Sequence, residues 1–348
     1  MPYRRPTRLS RPRPSRAVAA LAVGLLALPL AACGSEDDDS SGRPDAGGSF
    51  ESVTIEHAFG ETEIDARPER VVTWGWGSAD AALALGVTPV AMEALTYGAS
   101  DDGFMPWQEE AFEASGVEKP TALTPGEAPP FQEIAAAAPD LILANYSGIT
   151  EADYEKLSKI ADTVAYPEVP WSTPWRDVVS TVGQALGQAD EAATLLEEID
   201  GRVAEAAAAH PEFEGKTIAA VAIDPSAFYV YRGADPRVQF LEDLGFTLAP
   251  RVDQLDTEEA SFYYTLSTEE VDKLTSDVLL SYVPTEERVT EIVEDPAMQA
   301  MSQFQEDRVA SVVGEAVVSS VSPPTALSLT WGLDAFVEAL VPAVAAAG

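Results

Sequence analysis

Cysteine and histidine are scarce in this chain, which has one cysteine and two histidines among 348 residues. A lone cysteine cannot form an internal disulfide, and a zinc site usually needs three or four Cys or His ligands. We interpret both histidines, His57 and His210, as surface residues. No G-x-S-x-G motif is present, so we expect no catalytic triad. Because Cys and His are so few, we also expect no catalytic metal. The many acidic residues still leave open a hydrolase with paired carboxylates, as a secreted lipoprotein enzyme.

Basic residues are also few, and they are unevenly placed. Six of the 21 lie in the first 16 positions, so the rest of the chain carries 15 basic residues against 58 acidic ones. Such a surface repels the phosphates of nucleic acids, which excludes DNA and RNA as partners. It also disfavours any anionic substrate that needs a broad basic surface. The charge itself indicates high solubility.

The first 32 residues have the order of an export signal. Six arginines and no acid precede an apolar run over residues 17–32, which is shorter than the ~20 residues of a comfortable transmembrane helix. The run ends in Leu30-Ala31-Ala32-Cys33, which resembles the lipobox of bacterial lipoproteins. In that class the cysteine is acylated and becomes the first mature residue. The alternative is an ordinary secretory signal that leaves a free thiol.

Residues 33–50 follow as a stretch of Gly, Ser and Asp with almost nothing to bury, and they predict a flexible tether. No later apolar run reaches membrane-spanning length by inspection. We therefore expect residues 1–32 to be a lipoprotein signal peptide and Cys33 to be the lipid anchor. The mature chain would then be held at the extracytoplasmic face of the cell membrane by lipid alone.

The remainder alternates short β-rich runs with helical patterns, twice over. Strands predicted at 69–73 and 140–144 are matched in the second half by strands at 217–223 and 277–281. This alternation is typical of parallel sheets with crossover helices. The segment QEIAAAAPDLILA (132–144) can be laid over EEVDKLTSDVLLS (269–281). The sequence thus predicts an α/β fold with two like lobes.

A helix predicted over 190–210 separates the two halves and spans about 30 Å, enough to act as a stiff strut. The predicted organisation is an N-terminal α/β lobe over 51–170, connecting helices over 171–213, and a C-terminal α/β lobe with a final helix over 214–348.

Several of these segments resemble one family. RPERVVTWGWGSADAALALGVTPVAM, FQEIAAAAPDLIL and LSLTWGLDAFVEAL are similar to the helical-backbone substrate-binding proteins of iron–siderophore, haem and cobalamin ABC importers. The resemblance implies two Rossmann-like lobes joined by one long helix, with the ligand in the cleft between them. It also implies a monomer that closes little on binding, and a membrane permease with its ATPase as partners.

Ligands of open α/β sheets bind at the carboxyl ends of the strands. In this sequence the loops at those ends, together with the connecting segment, are rich in aromatic residues, which suit a large and partly apolar ligand. The predicted ligand-binding residues are Trp74, Trp76, Tyr97, Tyr146, Trp171, Tyr229, Tyr231, Arg232, Tyr263 and Tyr282. For each of them the alternative is a place in the core or in a lid.

The charge of these loops favours one ligand class. Ferric tris-catecholates are strongly anionic and need several paired cations, whereas ferric tris-hydroxamates are neutral or weakly cationic. Arg232 is the one basic residue within the predicted cleft loops, although Arg237 and Arg251 lie near in sequence. We therefore expect a hydroxamate-type ferric siderophore, with haem and cobalamin as alternatives. The protein would need no cofactor and would not ligate the chelated iron itself.

The family resemblance also implies permease docking through one glutamate on each lobe. Its pattern places the second-lobe glutamate at Glu269. In the first lobe the matching position is Gln132, a departure from the pattern, with Glu133 beside it.

Replacement of the predicted lipid anchor is the direct test of the membrane attachment. We expect Cys33→Ala to release the protein into the medium or to block its processing, because no acyl chain can then be attached. Membrane fractionation with salt washing and without detergent measures this. Unchanged membrane retention of the variant would contradict the lipoprotein interpretation.

Overall fold

A computed structural model of the chain describes residues 50–225, 227–257 and 262–348. The predicted signal peptide, Cys33 and the tether up to residue 49 lie outside the described residues. Within the described part, two α/β lobes are joined by two connecting helices, which confirms the predicted fold class.

The first lobe opens with a hairpin and continues as a run of alternating strands and helices. Its elements are β1 (Val53–His57), β2 (Gly60–Ile64), β3 (Val71–Thr73), α1 (Ser78–Ala84), β4 (Ala91–Glu93), α2 (Pro106–Ser115), β5 (Thr121–Leu123), α3 (Phe131–Ala136), β6 (Leu141–Ala144), α4 (Glu151–Leu157) and β7 (Asp162–Ala165). The sheet has the order β5-β4-β3-β6-β7 and every pairing in it is parallel.

Two helices, α5 (Trp175–Ala185) and α6 (Ala189–Ala209), connect the lobes. Apolar residues recur on α6 with helical spacing, and Ala192, Ile199 and Val203 are buried. Its 21 residues confirm the predicted long helix. Arg176 of α5 lies 2.6 Å from the Asp200 carboxylate of α6 and 2.8 Å from that of Asp243 in the second lobe.

The second lobe repeats the alternation with a mixed sheet. Its elements are β8 (Thr217–Ile223), β9 (Phe228–Tyr231), α7 (Pro236–Asp243), β10 (Thr247–Leu248), α8 (Pro250–Leu255), β11 (Tyr263–Leu266), β12 (Val278–Val283), α9 (Glu286–Glu294), α10 (Ser302–Gln305), β13 (Val309–Val313), α11 (Glu315–Val321) and α12 (Ser328–Ala346). The sheet order is β11-β9-β8-β12-β13, and β10 pairs with β8.

The strands β8, β10, β12 and β13 pair in parallel, but β9 folds back antiparallel to β8, and β11 pairs antiparallel with β9. The sequence prediction expected only parallel pairing and did not include these antiparallel strands. The sequence pattern also predicts a helix over 268–274, and this prediction is wrong. The segment is a turn followed by a 3₁₀ helix, Val271–Lys273.

The internal repeat has a structural counterpart in one pair of aspartates. Asp140, just before β6, accepts hydrogen bonds from the backbone N–H groups of Glu69 and Arg70 at 2.8 and 2.9 Å. Asp277, at the overlaid position before β12, accepts bonds from the N–H and hydroxyl of Thr217, both at 2.8 Å. Each carboxylate therefore holds the start of the neighbouring parallel strand.

The lobes also touch each other directly, besides their connection through the helices. Trp107 of α2 packs on Trp331 of α12 with ring centroids 5.6 Å apart, and the Trp331 indole N–H donates to Glu110. The buried Asp80 of α1 accepts bonds from Trp107, Gln108 and, across the lobes, Thr325. The two lobes thus share a polar contact that is closed to solvent.

Contrary to the sequence prediction, one helix of the described residues, α12, is long and apolar enough to cross a membrane by length and composition. It packs against α11, β13 and α6, and its residues Leu333, Phe336 and Leu340 are buried. In this structure α12 is therefore a core helix of the second lobe.

The surface assignment of His57 is wrong. Its ring is buried beside Tyr154, with centroids 4.9 Å apart, and hydrogen-bonds to Thr62. His210 lies at the end of α6 and pairs with Glu212 at 2.9 Å. Neither histidine lies at the carboxyl end of a strand in the two large sheets.

The strand-holding role of Asp277 gives a prediction with a pH signature. The backbone hydrogen bond from Thr217 lowers the pKa of Asp277 below its ordinary value of 3.8. We expect Asp277→Ala to reduce the free energy of unfolding by about 1–2 kcal/mol at pH 7, as charge-assisted hydrogen bonds do. Because the folded pKa is lowered, this stabilisation is present above pH 3.8 and is lost as the pH falls through the folded pKa.

Urea denaturation at pH 7 and near pH 3 measures both expectations. The exposed Asp101 is the control, and Asp101→Ala should change little at either pH. An Asp277 effect no larger than that of Asp101, or one that grows in acid, would contradict the role assigned to Asp277.

Candidate functional site

The carboxyl ends of the parallel strands of both lobes lead into loops that meet each other. The Trp76 indole N–H donates to the carbonyl of Pro323 at 2.9 Å, and the N–H of Gly98 donates to the Glu315 carboxylate at 3.1 Å. The cleft between the lobes therefore lies where α/β sheets bind their ligands.

A close backbone approach shapes the floor of this cleft. Trp76 N–H donates to the Tyr146 carbonyl, so the loop after β3 runs against the loop after β6. Gly75 lies between them with φ of +90°, and a Cβ there would collide with Tyr146 and Ser147. Only glycine fits this position. Beside it, a small and mostly apolar pocket is lined from both lobes by Trp76, Tyr146, Trp175, Pro236, Pro323 and Pro324, among others.

A buried ion pair lies on the second-lobe side of the cleft, next to Pro236 of the interlobe pocket. Asp235 is fully buried and caps α7 by accepting from the N–H of Arg237. The Arg237 guanidinium lies 2.6 Å from the Asp235 carboxylate, and its Nε donates to the Ser322 hydroxyl at 2.7 Å. It also stacks over the Tyr231 ring, 4.3 Å from the centroid. Desolvation is the largest single influence on Arg237 and opposes its charge, but Asp235 and the surrounding tyrosines together outweigh it and raise the pKa of Arg237.

Three tyrosines from both lobes surround this pair. Burial raises the pKa of Tyr146, Tyr231 and Tyr282, although the positive charge of Arg237 opposes each shift. All three hydroxyls are therefore neutral and protonated at physiological pH. Tyr231 and Tyr282 meet edge to face with centroids 5.9 Å apart. The buried Tyr282 hydroxyl has no hydrogen-bond partner within the described parts of the chain.

The outer walls of the cleft carry aromatic rings that are more exposed than the three tyrosines. Trp171 has φ of +57°, is 42% exposed, and packs edge to face on Tyr146 at 5.9 Å. Tyr97, on the loop after β4, is 43% exposed. On the second lobe Tyr229 and Tyr263 meet at 5.4 Å across β9 and β11. Since Tyr263 lies opposite Tyr231 in the register, these rings share one face of the sheet.

Two of the predicted ligand-binding residues are engaged within the protein. Trp74 is buried in the core of the first lobe among Val72, Ile142 and their neighbours, because it continues β3 on the inner face. Arg232 forms an ion pair with Asp256 at 2.7 Å. Arg237, which the sequence prediction noted only as a neighbour, directly follows Pro236 of the interlobe pocket.

A sequence signal for Arg237 does exist. In Asp235-Pro236-Arg237 the aspartate is a favoured N-cap and the proline a favoured first helical residue, directly after a strand-end loop. A basic residue in the first turn of such a helix is unusual and indicates a role other than helix stability.

The predicted docking residues lie at the carboxyl edge of each sheet. Glu133 of α3 accepts from the N–H and hydroxyl of Thr124, both at 2.8 Å, and the backbone bond lowers the pKa of Glu133. Gln132 beside it is exposed. Glu269 is also exposed, whereas its neighbour Glu270 pairs with Lys273 at 2.7 Å.

No group of three or more His, Cys, Asp or Glu side chains with the geometry to hold a metal ion occurs in residues 50–225, 227–257 and 262–348. The fold that holds this cleft has counterparts among known proteins. Residues 71–314 match the family described as "Periplasmic binding protein". The chain belongs to the periplasmic binding protein family.

Solved members of this family have the same fold. PiaA of Streptococcus pneumoniae TIGR4, in complex with ferrichrome, is 33% identical with a TM-score of 0.77, covering 85% of this chain and 99% of that one. A periplasmic solute binding protein of Mycobacterium smegmatis is 27% identical with a TM-score of 0.73, covering 84% and 99%. A Bacillus subtilis relative named "Probable siderophore-binding lipoprotein YfiY" is 26% identical over 73% of this chain and 74% of its own length.

The hydroxyl of Tyr282, which has no partner in the described residues, predicts that its removal stabilises the protein, whereas most substitutions of buried residues destabilise. We expect Tyr282→Phe to raise the free energy of unfolding of the ligand-free protein by about 1 kcal/mol, because a buried hydroxyl without a partner is costly. The matched control is Tyr264→Phe. The Tyr264 ring is fully buried and its hydroxyl donates to the Val252 carbonyl at 2.9 Å, so its loss should be destabilising.

Urea denaturation of the two variants beside the natural protein measures the difference. Equal destabilisation by both substitutions would mean that the Tyr282 hydroxyl is satisfied in the ligand-free protein.

Proposed function

We propose that this chain captures a ferric siderophore of the hydroxamate type in the cleft between its lobes and delivers it to an ABC importer. The observation that carries the proposal is the charge-balanced, aromatic centre of the cleft, where Arg237 is paired with Asp235 beneath three neutral tyrosines.

The balance of charge argues for a neutral or weakly cationic chelate. A ferric tris-catecholate carries three negative charges, and its burial needs several cations that are free to pair with it. Arg232, which follows β9, and Arg237, in the first turn of α7, each pair with an aspartate instead. A ferric tris-hydroxamate brings no such charge and needs no compensation.

The hydrogen-bonding groups suit the same chelate. Hydroxamate oxygens around the iron remain acceptors, and the cleft offers the buried Tyr282 hydroxyl and the Arg237 guanidinium as donors. The exposed faces of Trp171 and Tyr97 can cover the apolar arms of the ligand. Because the siderophore fills the coordination sphere of the iron, the protein supplies binding and orientation only.

The relatives support this assignment. PiaA, at 33% identity, was solved with ferrichrome, which is a hydroxamate siderophore. Haem and cobalamin are less well supported by the site. Both histidines of the chain lie away from the cleft, His57 within the first hairpin and His210 at the end of α6, so no imidazole is available there as an axial ligand.

The proposed location is the outer face of the cell membrane, with Cys33 lipidated. The lipobox-like Leu30 to Cys33 and the lipoprotein description of the Bacillus subtilis relative support it. We propose that the protein works there as a monomer, beside a permease and its ATPase.

A fluorescence titration tests the ligand class. We expect ferrichrome and a ferrioxamine to quench the tryptophan emission at sub-micromolar concentration, because Trp76 and Trp171 lie at the cleft. Ferric enterobactin, haem and cobalamin should give no saturable response in that range. Trp171→Phe should keep the affinity and lose part of the quenching, whereas Trp331→Phe, at the contact of α12 with Trp107, should change the quenching little.

Tight binding of the tris-catecholate without a hydroxamate response would refute the charge argument. It would mean that other basic residues converge on the cleft when the ligand binds.

Docking to the permease is tested by charge reversal. The Glu269 carboxylate is exposed and the Glu133 carboxylate is bonded to Thr124, so we propose Glu269 as the principal acidic contact, with Gln132 or Glu133 in the first lobe. We expect Glu269→Arg to abolish uptake with unchanged ligand affinity, since complementary charges at a rim set register and association rate.

Radiolabelled iron uptake and a binding titration on the same variant separate the two effects. Glu198→Arg, on the exposed side of α6, is the control and should transport normally. A parallel loss of affinity in Glu269→Arg would place that residue in the cleft or in the fold.

A further inference from the structure

At the carboxyl edge of the two sheets there are more acidic side chains than the ion pairs with Arg232 and Arg237 neutralise. Arg232 and Arg237 are each balanced by an aspartate, and two further glutamates stand at strand ends. Glu93 is the last residue of β4, and Glu315 follows β13 after one glycine. The loop from 94 to 105, between β4 and α2, adds Asp101 and contains no basic residue, while its Asp102 pairs with Lys119 at 3.2 Å.

Glu315 lies at the mouth of the cleft, where the lobes meet. Its carboxylate accepts from the N–H of Gly98 at 3.1 Å, and the Ser319 hydroxyl of the same helix donates to the carbonyl of Tyr97. The adjoining Tyr97 ring is 43% exposed. Burial and then the charge of Glu315 raise the pKa of Tyr97, and Tyr231 contributes to the same shift. Glu315, Tyr97 and Tyr231 therefore lie within electrostatic reach of one another.

An exposed aromatic face beside a carboxylate is a favourable site for an ammonium group, through cation–π and ionic attraction together. The Tyr282 hydroxyl, buried and without a partner in the described residues, independently points to a ligand deeper in the same cleft. A chelate centred on Tyr231, Tyr282 and Arg237 would have its outer arms near Tyr97.

We infer that the cleft selects, among ferric hydroxamates, those that carry a free ammonium group, and that Glu315 and Tyr97 receive that group at the cleft mouth. This inference rests on the proposed function. It adds a requirement that the hydroxamate class alone does not contain, because neutral ferric hydroxamates fit the charge-balanced centre equally well.

Two ligands that differ in one charge provide the test. Ferrioxamine B carries a pendant ammonium, and its N-acetyl derivative has the same iron chelate without that charge. We expect the natural protein to bind ferrioxamine B about three- to tenfold more tightly than the acetylated form, which is the range for a partly exposed ion pair with a cation–π contact. The ratio should shrink toward one in 1 M salt, where the Debye length is about 3 Å.

The variant Glu315→Gln then tests whether Glu315 causes the preference for ferrioxamine B. Glutamine keeps an acceptor for Gly98 and removes the charge, so the preference should disappear while the affinity for the acetylated ligand is unchanged. Glu198→Gln, at an exposed position of α6 away from the cleft, should retain the full preference.

The outcomes separate this inference from the proposed function. Equal affinities for the two ligands in the natural protein would overturn the ammonium preference and leave hydroxamate binding intact. A Glu315→Gln variant that weakens both ligands equally would make Glu315 a positioning residue for the Gly98 loop and would also overturn it. If neither ligand binds, the proposed function fails and this inference fails with it.

Discussion

The buried pair of Arg237 and Asp235 is the interaction on which the cleft depends. Asp235 is fully buried as the cap of α7, and Arg237 is held by that carboxylate, by Ser322 and by the Tyr231 ring. Buried ion pairs contribute little net stability, because desolvation offsets most of their attraction. The geometry of this one is nevertheless fixed from three sides. It presents directed donors at the centre of the cleft while adding no net charge there.

The scaffold around the pair is built to keep its geometry constant. The helix α6 runs between the lobes, and Arg176 ties α5 to α6 and to α7, the helix that carries Arg237. Direct contacts add to this, from Trp107 on Trp331 and from Asp80 to Thr325. A site whose walls are already in place spends little binding energy on ordering them, which suits a protein that must capture a scarce ligand.

Much of this architecture could be predicted from the sequence, because it follows from local periodicity. The length of α6 follows from apolar residues at helical spacing, and the repeat around Asp140 and Asp277 marks two lobes with the same strand-holding device. The antiparallel strands β9 and β11 could not be predicted, since the direction of a short strand depends on its partner. Trp74 and Trp76 look equivalent in sequence, yet the positive φ of Gly75 sends one into the core and the other into the cleft. The sequence could not distinguish Arg237 from Arg232, because the contacts of Arg237 with Asp235, Ser322 and the Tyr231 ring form only in the folded chain.

Anomalous X-ray scattering at the iron edge, from crystals grown with a ferric hydroxamate, tests the central claim most directly. The account predicts a single iron peak between the lobes, above Tyr231 and Tyr282, with the Tyr282 hydroxyl and the Arg237 guanidinium bonded to hydroxamate oxygens and no protein atom bonded to the iron. An iron peak outside this cleft, or a protein side chain in the coordination sphere of the metal, would contradict it.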